Sequence, residues 1–112
     1  MDAERRRSPR FGCHLPVRLF PQGEAKIVQT LTKDLSAGGL RCLSPVPKAV
    51  STVLTLELDL GQGTEPLNLR ANVAWFRQVP ESEQFYLGMA FQDLEPRTRE
   101  RLSRYLAALT PA

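Results

Sequence analysis

Residues 53–60 read Val-Leu-Thr-Leu-Glu-Leu-Asp-Leu, and from Leu54 onward a leucine alternates with a polar residue at every step. This period of two places the leucines on one face of a β-strand and the polar side chains on the other. Gly61-Gln62-Gly63 follows directly and marks a turn. The segment therefore predicts a strand with one buried and one solvent-facing side, as in the wall of a barrel or sandwich.

Similar apolar patterns recur on both sides of this strand. Turn residues separate the apolar runs, as expected for connections between short strands. Five further strands are predicted on this basis, at residues 14–19, 26–33, 40–43, 67–75 and 85–91. Six strands joined by short turns favour an antiparallel barrel or a closed sandwich. Trp75 is in phase with Leu69 and Val73, so the pattern predicts Trp75 in the core and its neighbour Phe76 outside.

The end of the chain changes from a strand pattern to a helix pattern. Apolar residues recur there at helical spacing, namely Leu102, Tyr105, Leu106 and Leu109. The other face carries Arg97, Arg101 and Arg104, which are interpreted as a solvated surface. We expect a helix over about residues 96–109 that packs on the barrel or across one of its ends.

The length and composition favour one globular domain. The chain has 112 residues, a hydrophobic fraction of 42% and a charged fraction of 24%, which is sufficient for one ordinary core. Residues 1–10 are polar, rich in arginine and interrupted by Pro9, so they predict a flexible N-terminal arm. Residues 11–112 are then a single β-barrel domain that ends with the helix.

Several function classes are disfavoured by residue usage. Cys13 and Cys42 have no CxxC spacing, and His14 is the sole histidine, so neither a disulfide framework nor a metal site is expected. No apolar run approaches the ~20 residues that span a bilayer, and no secretory leader is evident, so we expect a cytoplasmic protein without membrane insertion. Serine catalysis at Ser36 is disfavoured because no glycine stands two residues before it. No enzyme activity is expected.

Two polar segments carry the chemistry. The first is Arg5-Arg6-Arg7-Ser8-Pro9-Arg10, part of a strong arginine bias of twelve Arg to three Lys in a chain of net charge +3. The second is Asp34-Leu35-Ser36-Ala37-Gly38-Gly39, between two predicted strands. Guanidinium groups pair with phosphate and with the O6/N7 edge of guanine, while a carboxylate accepts from guanine N–H donors. Together these segments predict a guanine nucleotide site.

These residues resemble the PilZ domain family of small bacterial β-barrels. The family's RxxxR pattern matches Arg6 and Arg10, and its [D/N]xSxxG pattern matches Asp34, Ser36 and Gly39. The segments 73–75 and 87–91 are also similar to the closing strands of the family, so the resemblance covers residues 4 to about 106. It implies a mostly β fold, a six-stranded antiparallel barrel of the split-barrel type with a C-terminal helix.

The resemblance further implies that the chain is a receptor for the second messenger cyclic di-GMP, with no separate cofactor. In that hypothesis Arg6 and Arg10 serve the phosphates and guanines, and Asp34 accepts from a guanine N1 or N2 donor. Ser36 bonds a phosphate or base, and Gly39 lets the backbone approach the ligand. The predicted binding residues are Arg5, Arg6, Arg10, Asp34, Ser36, Gly38 and Gly39.

Signal output and stoichiometry are expected to depend on the arm. Ordering of the arm by ligand would create a change that an unidentified protein partner reads. Arg5 is predicted to stack on a second ligand, which gives two mutually stacked cyclic di-GMP molecules per chain. Two alternatives stay open: a PilZ-like interaction module that does not bind nucleotide, and a small barrel that binds nucleic acid. The second is disfavoured because a clear set of exposed aromatic residues is lacking.

Overall fold

The structure is a computed structural model that describes residues 10–21, 26–61 and 63–109. Arg5 and Arg6, with the rest of the predicted arm before Arg10, lie outside these residues. The described ranges contain seven strands and one helix. They are β1 Phe11–Gly12, β2 Pro16–Pro21, β3 Val28–Leu35, β4 Gly39–Ser44, β5 Val53–Leu58, β6 Leu67–Gln78, β7 Phe85–Gln92 and α1 Pro96–Leu109.

The strands form one antiparallel sheet that closes on itself. Its order is β1-β3-β2-β5-β6-β7-β4, and a further pairing of β3 with β4 closes the barrel. The six longer strands make up the barrel wall, while the two-residue β1 adds to β3 with Gly12 opposite Asp34. The predicted six-stranded antiparallel barrel with a C-terminal helix is confirmed.

Leucines from nearly every strand fill the barrel. Leu54, Leu56 and Leu58 of β5 are fully buried, and Leu60 beyond it is nearly so, as the alternation of residues 53–60 predicts. Burial of one leucine side chain contributes about 1.5–3 kcal/mol to folding. The remaining buried apolar residues are Val17, Leu19, Leu35, Leu40, Cys42, Leu67, Leu69, Ala71, Val73, Leu87, Met89, Leu102 and Leu106.

Strand β6 departs from the predicted pattern at Trp75. Val73 pairs with Met89 and Trp75 pairs with Gly88, so Ala74 is an extra residue that forms a β-bulge. The bulge reverses the phase of the strand, which leaves Val73 buried but turns Trp75 outward, where it is 38% exposed. The prediction of Trp75 in the core was therefore wrong. A sequence period cannot detect an added residue whose neighbours on both sides are apolar.

Helix α1 packs on the barrel through two leucines. Leu102 and Leu106 are buried and Tyr105 is partly buried, as the helical spacing predicts. Leu109, at the last turn, is 36% exposed. On another face Arg101 donates a hydrogen bond to the carbonyl oxygen of Glu65 at 2.5 Å, which links the helix to the loop before β6.

One buried threonine fastens the chain between β1 and β2. The hydroxyl of Thr32 donates to the carbonyl oxygen of Cys13 at 2.6 Å and accepts from the amide of Leu15 at 2.9 Å. The amide of Thr32 donates to the carbonyl oxygen of Leu15 at 2.9 Å. We call this set the Thr32 clamp. It holds residues 13–15 against β3, only three residues after Arg10.

In the described ranges, no helix is long and apolar enough to cross a membrane. Among the same residues, no group of three or more His, Cys, Asp or Glu side chains is arranged to hold a metal ion.

Candidate functional site

Four outward-facing residues form a row across neighbouring strands of the barrel. Asp34 on β3 is opposite Arg41 on β4, Arg41 is opposite Gly88 on β7, and Gly88 is opposite Trp75 on β6. Residues directly opposite in antiparallel strands have Cβ atoms about 4.5–5.5 Å apart. The row therefore brings a carboxylate, a guanidinium and an indole together over one glycine.

Asp34 is the electrostatic centre of this row. Its Oδ1 accepts a bond from Nη1 of Arg10 at 2.9 Å, and its Oδ2 lies 3.0 Å from Nη2 of Arg41. The Asp34 side chain is only 12% exposed, whereas those of Arg10 and Arg41 are 53% and 34% exposed. The carboxylate is thus shielded from water and oriented by two cations, which is the condition for strong charge-assisted hydrogen bonds.

Arg41 is held on its other side by an aromatic ring. Its guanidinium carbon lies 5.3 Å from the centroid of the Tyr86 ring, within the range of a cation–π contact. Tyr86 stands two residues from Gly88 on β7, so it is a diagonal neighbour of Arg41. The Nε of Arg41 is buried and has no hydrogen-bond partner in the described part of the chain. Such a donor is costly to leave unpaired.

Ser36 closes the turn between β3 and β4. Its hydroxyl donates to the carbonyl oxygen of Gly39 and accepts from the amides of Gly38 and Gly39, each at 3.2 Å. The amide of Ser36 also donates to the carbonyl oxygen of Gly39 at 2.9 Å. A serine hydroxyl has one donor and two acceptor sites, so these three bonds use its full capacity. In this conformation Ser36 shapes the turn.

Gly39 is required by a close approach of two strands. A Cβ at this position would lie 2.0 Å from the carbonyl oxygen of Met89 and 3.3 Å from the Cα of Ala90. Gly38 supports the same junction, because its carbonyl oxygen accepts from the amide of Phe91 at 2.9 Å. The glycine pair therefore fixes the start of β4 against β7 and, with it, the position of the turn that follows Asp34.

Gly88 forms the base on which the indole of Trp75 lies. A Cβ on Gly88 would come within 2.2 Å of the Nε1 and Cε2 atoms of Trp75, so the ring rests directly on the glycine backbone. An aromatic side chain that covers a cross-strand glycine is a recognised way to stabilise a sheet. The absence of a side chain at Gly88 also leaves open the space between Trp75 and Arg41.

An open cleft of about 560 Å³ lies along this row. Its lining comes from Arg10, Asp34, Arg41, Ala74 and Trp75. Ligand sites usually have volumes of about 300–1,000 Å³ and combine a flat apolar wall with a few charged groups. The cleft has this composition: an aromatic plane at one end and a carboxylate between two guanidinium groups at the other.

The two thiols near this region are kept neutral. Burial raises the pKa of Cys42 to about 12. Burial also raises the pKa of Cys13, the Asp34 charge adds to this effect, and the hydrogen bond with Thr32 opposes it. Neither side chain has the depressed pKa that an activated nucleophile needs.

The structure brings together some of the predicted site residues and adds others. Arg10 and Asp34 line the cleft, while Ser36, Gly38 and Gly39 form the adjoining turn. The sequence predictions missed Arg41, Gly88 and the outward position of Trp75. Arg41 was detectable, because a tight turn after Asp34 places a residue of β4 opposite it, where an arginine would complete an ion pair.

Comparison with known proteins identifies a family for this chain. The PilZ domain model matches residues 4–108. No curated protein matches the chain at the level of sequence.

Solved structures share the fold at low sequence identity. The PilZ domain of YcgR from Escherichia coli, solved with c-di-GMP, is 19% identical with a TM-score of 0.75, covering 94% of this chain and 91% of that one. The PilZ domain of CeSA from a cellulose-synthesizing bacterium is 22% identical with a TM-score of 0.68, covering 91% and 98%. The Bacillus subtilis Inhibitor of motility (MotI/DgrA) is 20% identical with a TM-score of 0.78. That match covers 91% of this chain, which spans about half (49%) of the inhibitor.

Proposed function

Because the chain belongs to the PilZ domain family, we propose that it is a receptor that binds cyclic di-GMP in the cleft between Asp34 and Trp75. The observation that carries this proposal is the carboxylate of Asp34, shielded and held between Arg10 and Arg41 beside an exposed indole. The E. coli YcgR domain, which has the same fold, was solved with this ligand.

Asp34 and Arg10 read the guanine in this proposal. A guanine presents adjacent N1–H and N2–H donors to a carboxylate, and its O6/N7 edge accepts an arginine fork. Since Arg10 already lies on Asp34 at 2.9 Å, the arginine and the carboxylate are positioned to contact one base together. Each good bidentate pair contributes about 1–3 kcal/mol of base discrimination.

The other predicted residues have separate tasks. Arg5 and Arg6 supply further guanidinium groups for the phosphates and bases, and Arg5 is proposed to stack on a second cyclic di-GMP molecule. Trp75 offers a flat surface for a base, since stacking on an aromatic side chain is worth about 1–3 kcal/mol per base. Ser36, Gly38 and Gly39 contribute by keeping the turn in place.

Output is proposed to pass through the N-terminal arm to a protein partner. Arg10, the last residue of the arm, touches Asp34, so a ligand that engages Asp34 also acts on the arm. Ordering of arm residues costs roughly 1–2 kcal/mol each, which lowers the affinity but yields a change that a partner can recognise.

A calorimetric titration with cyclic di-GMP tests the receptor function. We expect binding at micromolar concentration or tighter, which corresponds to about 8 kcal/mol, with two ligands per chain. Asp34→Asn keeps the shape but removes the charge, so it should weaken binding by about 100-fold. Arg70→Ala is the matched control, because Arg70 is exposed on β6 outside the cleft lining and should leave the affinity unchanged.

The alternatives give different results in the same titration. Absence of binding at millimolar ligand would reject the receptor function and favour a nucleotide-independent interaction module. Binding that ignores base identity and falls steeply with salt would favour the nucleic-acid barrel. One ligand per chain would reject the stacked pair alone.

A further inference from the structure

Asp34 contacts two arginines that lie in different parts of the fold. Arg10 precedes β1 and has a side chain that is 53% exposed. Arg41 lies within β4, which is paired with β3 on one side and β7 on the other, and its side chain is 34% exposed. One cation therefore stands at the root of the arm and the other is part of the barrel wall.

Two contacts restrain the guanidinium group of Arg41. Nη2 lies 3.0 Å from Oδ2 of Asp34, and the group as a whole lies over the ring of Tyr86. Its buried Nε lacks a partner among the described residues, which costs stability rather than adding it. Ion pairing for stability alone thus gives a poor account of an arginine at this place.

The two arginines face different demands when a nucleotide arrives. The acceptor edge of guanine competes with Asp34 for the fork of Arg10, and the guanine donors compete with Arg10 for Oδ1 of Asp34. Arg41 pairs through the other oxygen, Oδ2, from a strand hydrogen-bonded on both sides. Asp34 therefore keeps one fixed cation whether or not Arg10 leaves it.

We propose that Arg41 is a positioning residue that fixes the Asp34 carboxylate for guanine and so sets the preference for cyclic di-GMP over cyclic di-AMP; this rests on the proposed function. A fixed carboxylate favours a base with two adjacent N–H donors. Adenine presents an acceptor, N1, at the place where guanine has a donor, so the same carboxylate repels it. Without Arg41 the carboxylate rotates and its discrimination falls.

Parallel titrations with cyclic di-GMP and cyclic di-AMP test this role. In Arg41→Met, which keeps an unbranched apolar stem but removes the guanidinium group and its charge, the preference for the guanine ligand should fall by about tenfold or more. Arg41→Lys should restore only part of it, because an ammonium group has no planar fork. Arg70→Met is the matched control on an exposed outer position of β6 and should keep the full preference.

Tyr86→Leu provides a second variant that leaves Arg41 in place but removes the ring beneath it. It should lower the preference in the same direction by a smaller factor, and it keeps the proposal testable if Arg41→Met does not fold.

The outcomes separate this inference from the receptor function. If the unaltered protein binds neither nucleotide, the receptor function fails and the role of Arg41 fails with it. If it binds cyclic di-GMP and both Arg41→Met and Tyr86→Leu keep the preference, only the positioning role is overturned. An equal loss of affinity for both nucleotides also overturns it, because that result describes a general cationic attraction rather than an oriented carboxylate.

Discussion

Two neighbouring rows of residues cross the same four strands and have opposite characters. The inward row is entirely apolar and is buried to 3% exposure or less; its members are Leu35, Leu40, Met89 and Val73. The outward row, one position along on β3, β4 and β7, consists of Asp34, Arg41, Gly88 and Trp75. One backbone frame therefore carries both a core layer and a candidate binding site.

The two rows place different requirements on the residues that can occupy them. The inward row needs only volume and hydrophobicity, so several sequences would satisfy it. The outward row needs specific partners: a carboxylate for Arg41 and a glycine beneath Trp75. Because Ala74 is an extra residue, Val73 faces inward and Trp75 faces outward although they stand two positions apart.

Insertion of one residue between Gly88 and Met89 on β7, opposite Ala74, would test this dependence and should have the largest effect. Ala74 then gains a partner, the bulge is lost, and β6 returns to a strict alternation in which Val73 and Trp75 face the same side. One of them must then occupy the wrong row, and we expect a loss on the order of 5 kcal/mol, a large part of the stability of a small domain. Urea unfolding measures it. Ala74→Ser keeps the bulge and is the control; equal midpoints for the two variants would contradict the explanation.

Alkaline pH should lower the stability of the fold through Cys42, which follows Arg41 on β4 and faces inward. The pKa of Cys42 is raised from 9.0 to about 12 because burial disfavours the thiolate. The folded state then favours the neutral thiol, so this stabilisation is complete below pH 9 and is lost as the pH rises toward 12.

The expected slope is up to about 1.4 kcal/mol per pH unit in this window. Unfolding free energies of the unaltered protein and Cys42→Ala, measured at several pH values, check it. The variant should lose stability less steeply above pH 9, where the unaltered thiol begins to titrate. Parallel pH curves would show that this thiol ionises as easily in the folded protein as in the unfolded one.

Gly88→Ala should have the smallest effect on stability and a specific effect on the outward row. The new methyl group would displace the Trp75 indole, since the Cβ position is only 2.2 Å from its ring atoms. We expect a shift in fluorescence, which is specific because the chain has one tryptophan, and a loss of about 1–2 kcal/mol.

Gly12→Ala is the matched control for this change. Gly12 stands opposite Asp34 at the far end of the same row, and nothing lies within 4 Å of its Cβ position. An unchanged emission spectrum in Gly88→Ala, or an equal change in Gly12→Ala, would contradict the stacked position of Trp75.

The sequence allowed the inward row to be predicted more completely than the outward one. Period-two leucines and the helical spacing near the end identified the core strands and α1, because a buried face requires apolar residues at regular intervals in the sequence. Asp34 and Arg10 were predicted from their chemistry. Trp75 was misplaced because a single bulge residue changes the phase of a strand without changing its composition.

Arg41 was missed for a different reason. Its role depends on the register between β3 and β4, which places it opposite Asp34 despite seven positions along the chain. The shift in this register lies between Thr32 and Asp34, beyond the Asp34–Arg41 pair, so counting outward from the turn locates Arg41. The hydrophobic periodicity of single strands does not show which residues of two strands are opposite each other.

The Thr32 clamp gives the chain after Arg10 a fixed attachment point on the barrel. Residues 13–15 are tied to β3 by three hydrogen bonds through the hydroxyl and amide of one buried threonine. The segment that leads from Arg10 into β2 is therefore anchored to β3 before β2 begins. Since Thr32 lies two positions before Asp34, this anchor and the carboxylate that contacts Arg10 belong to one strand.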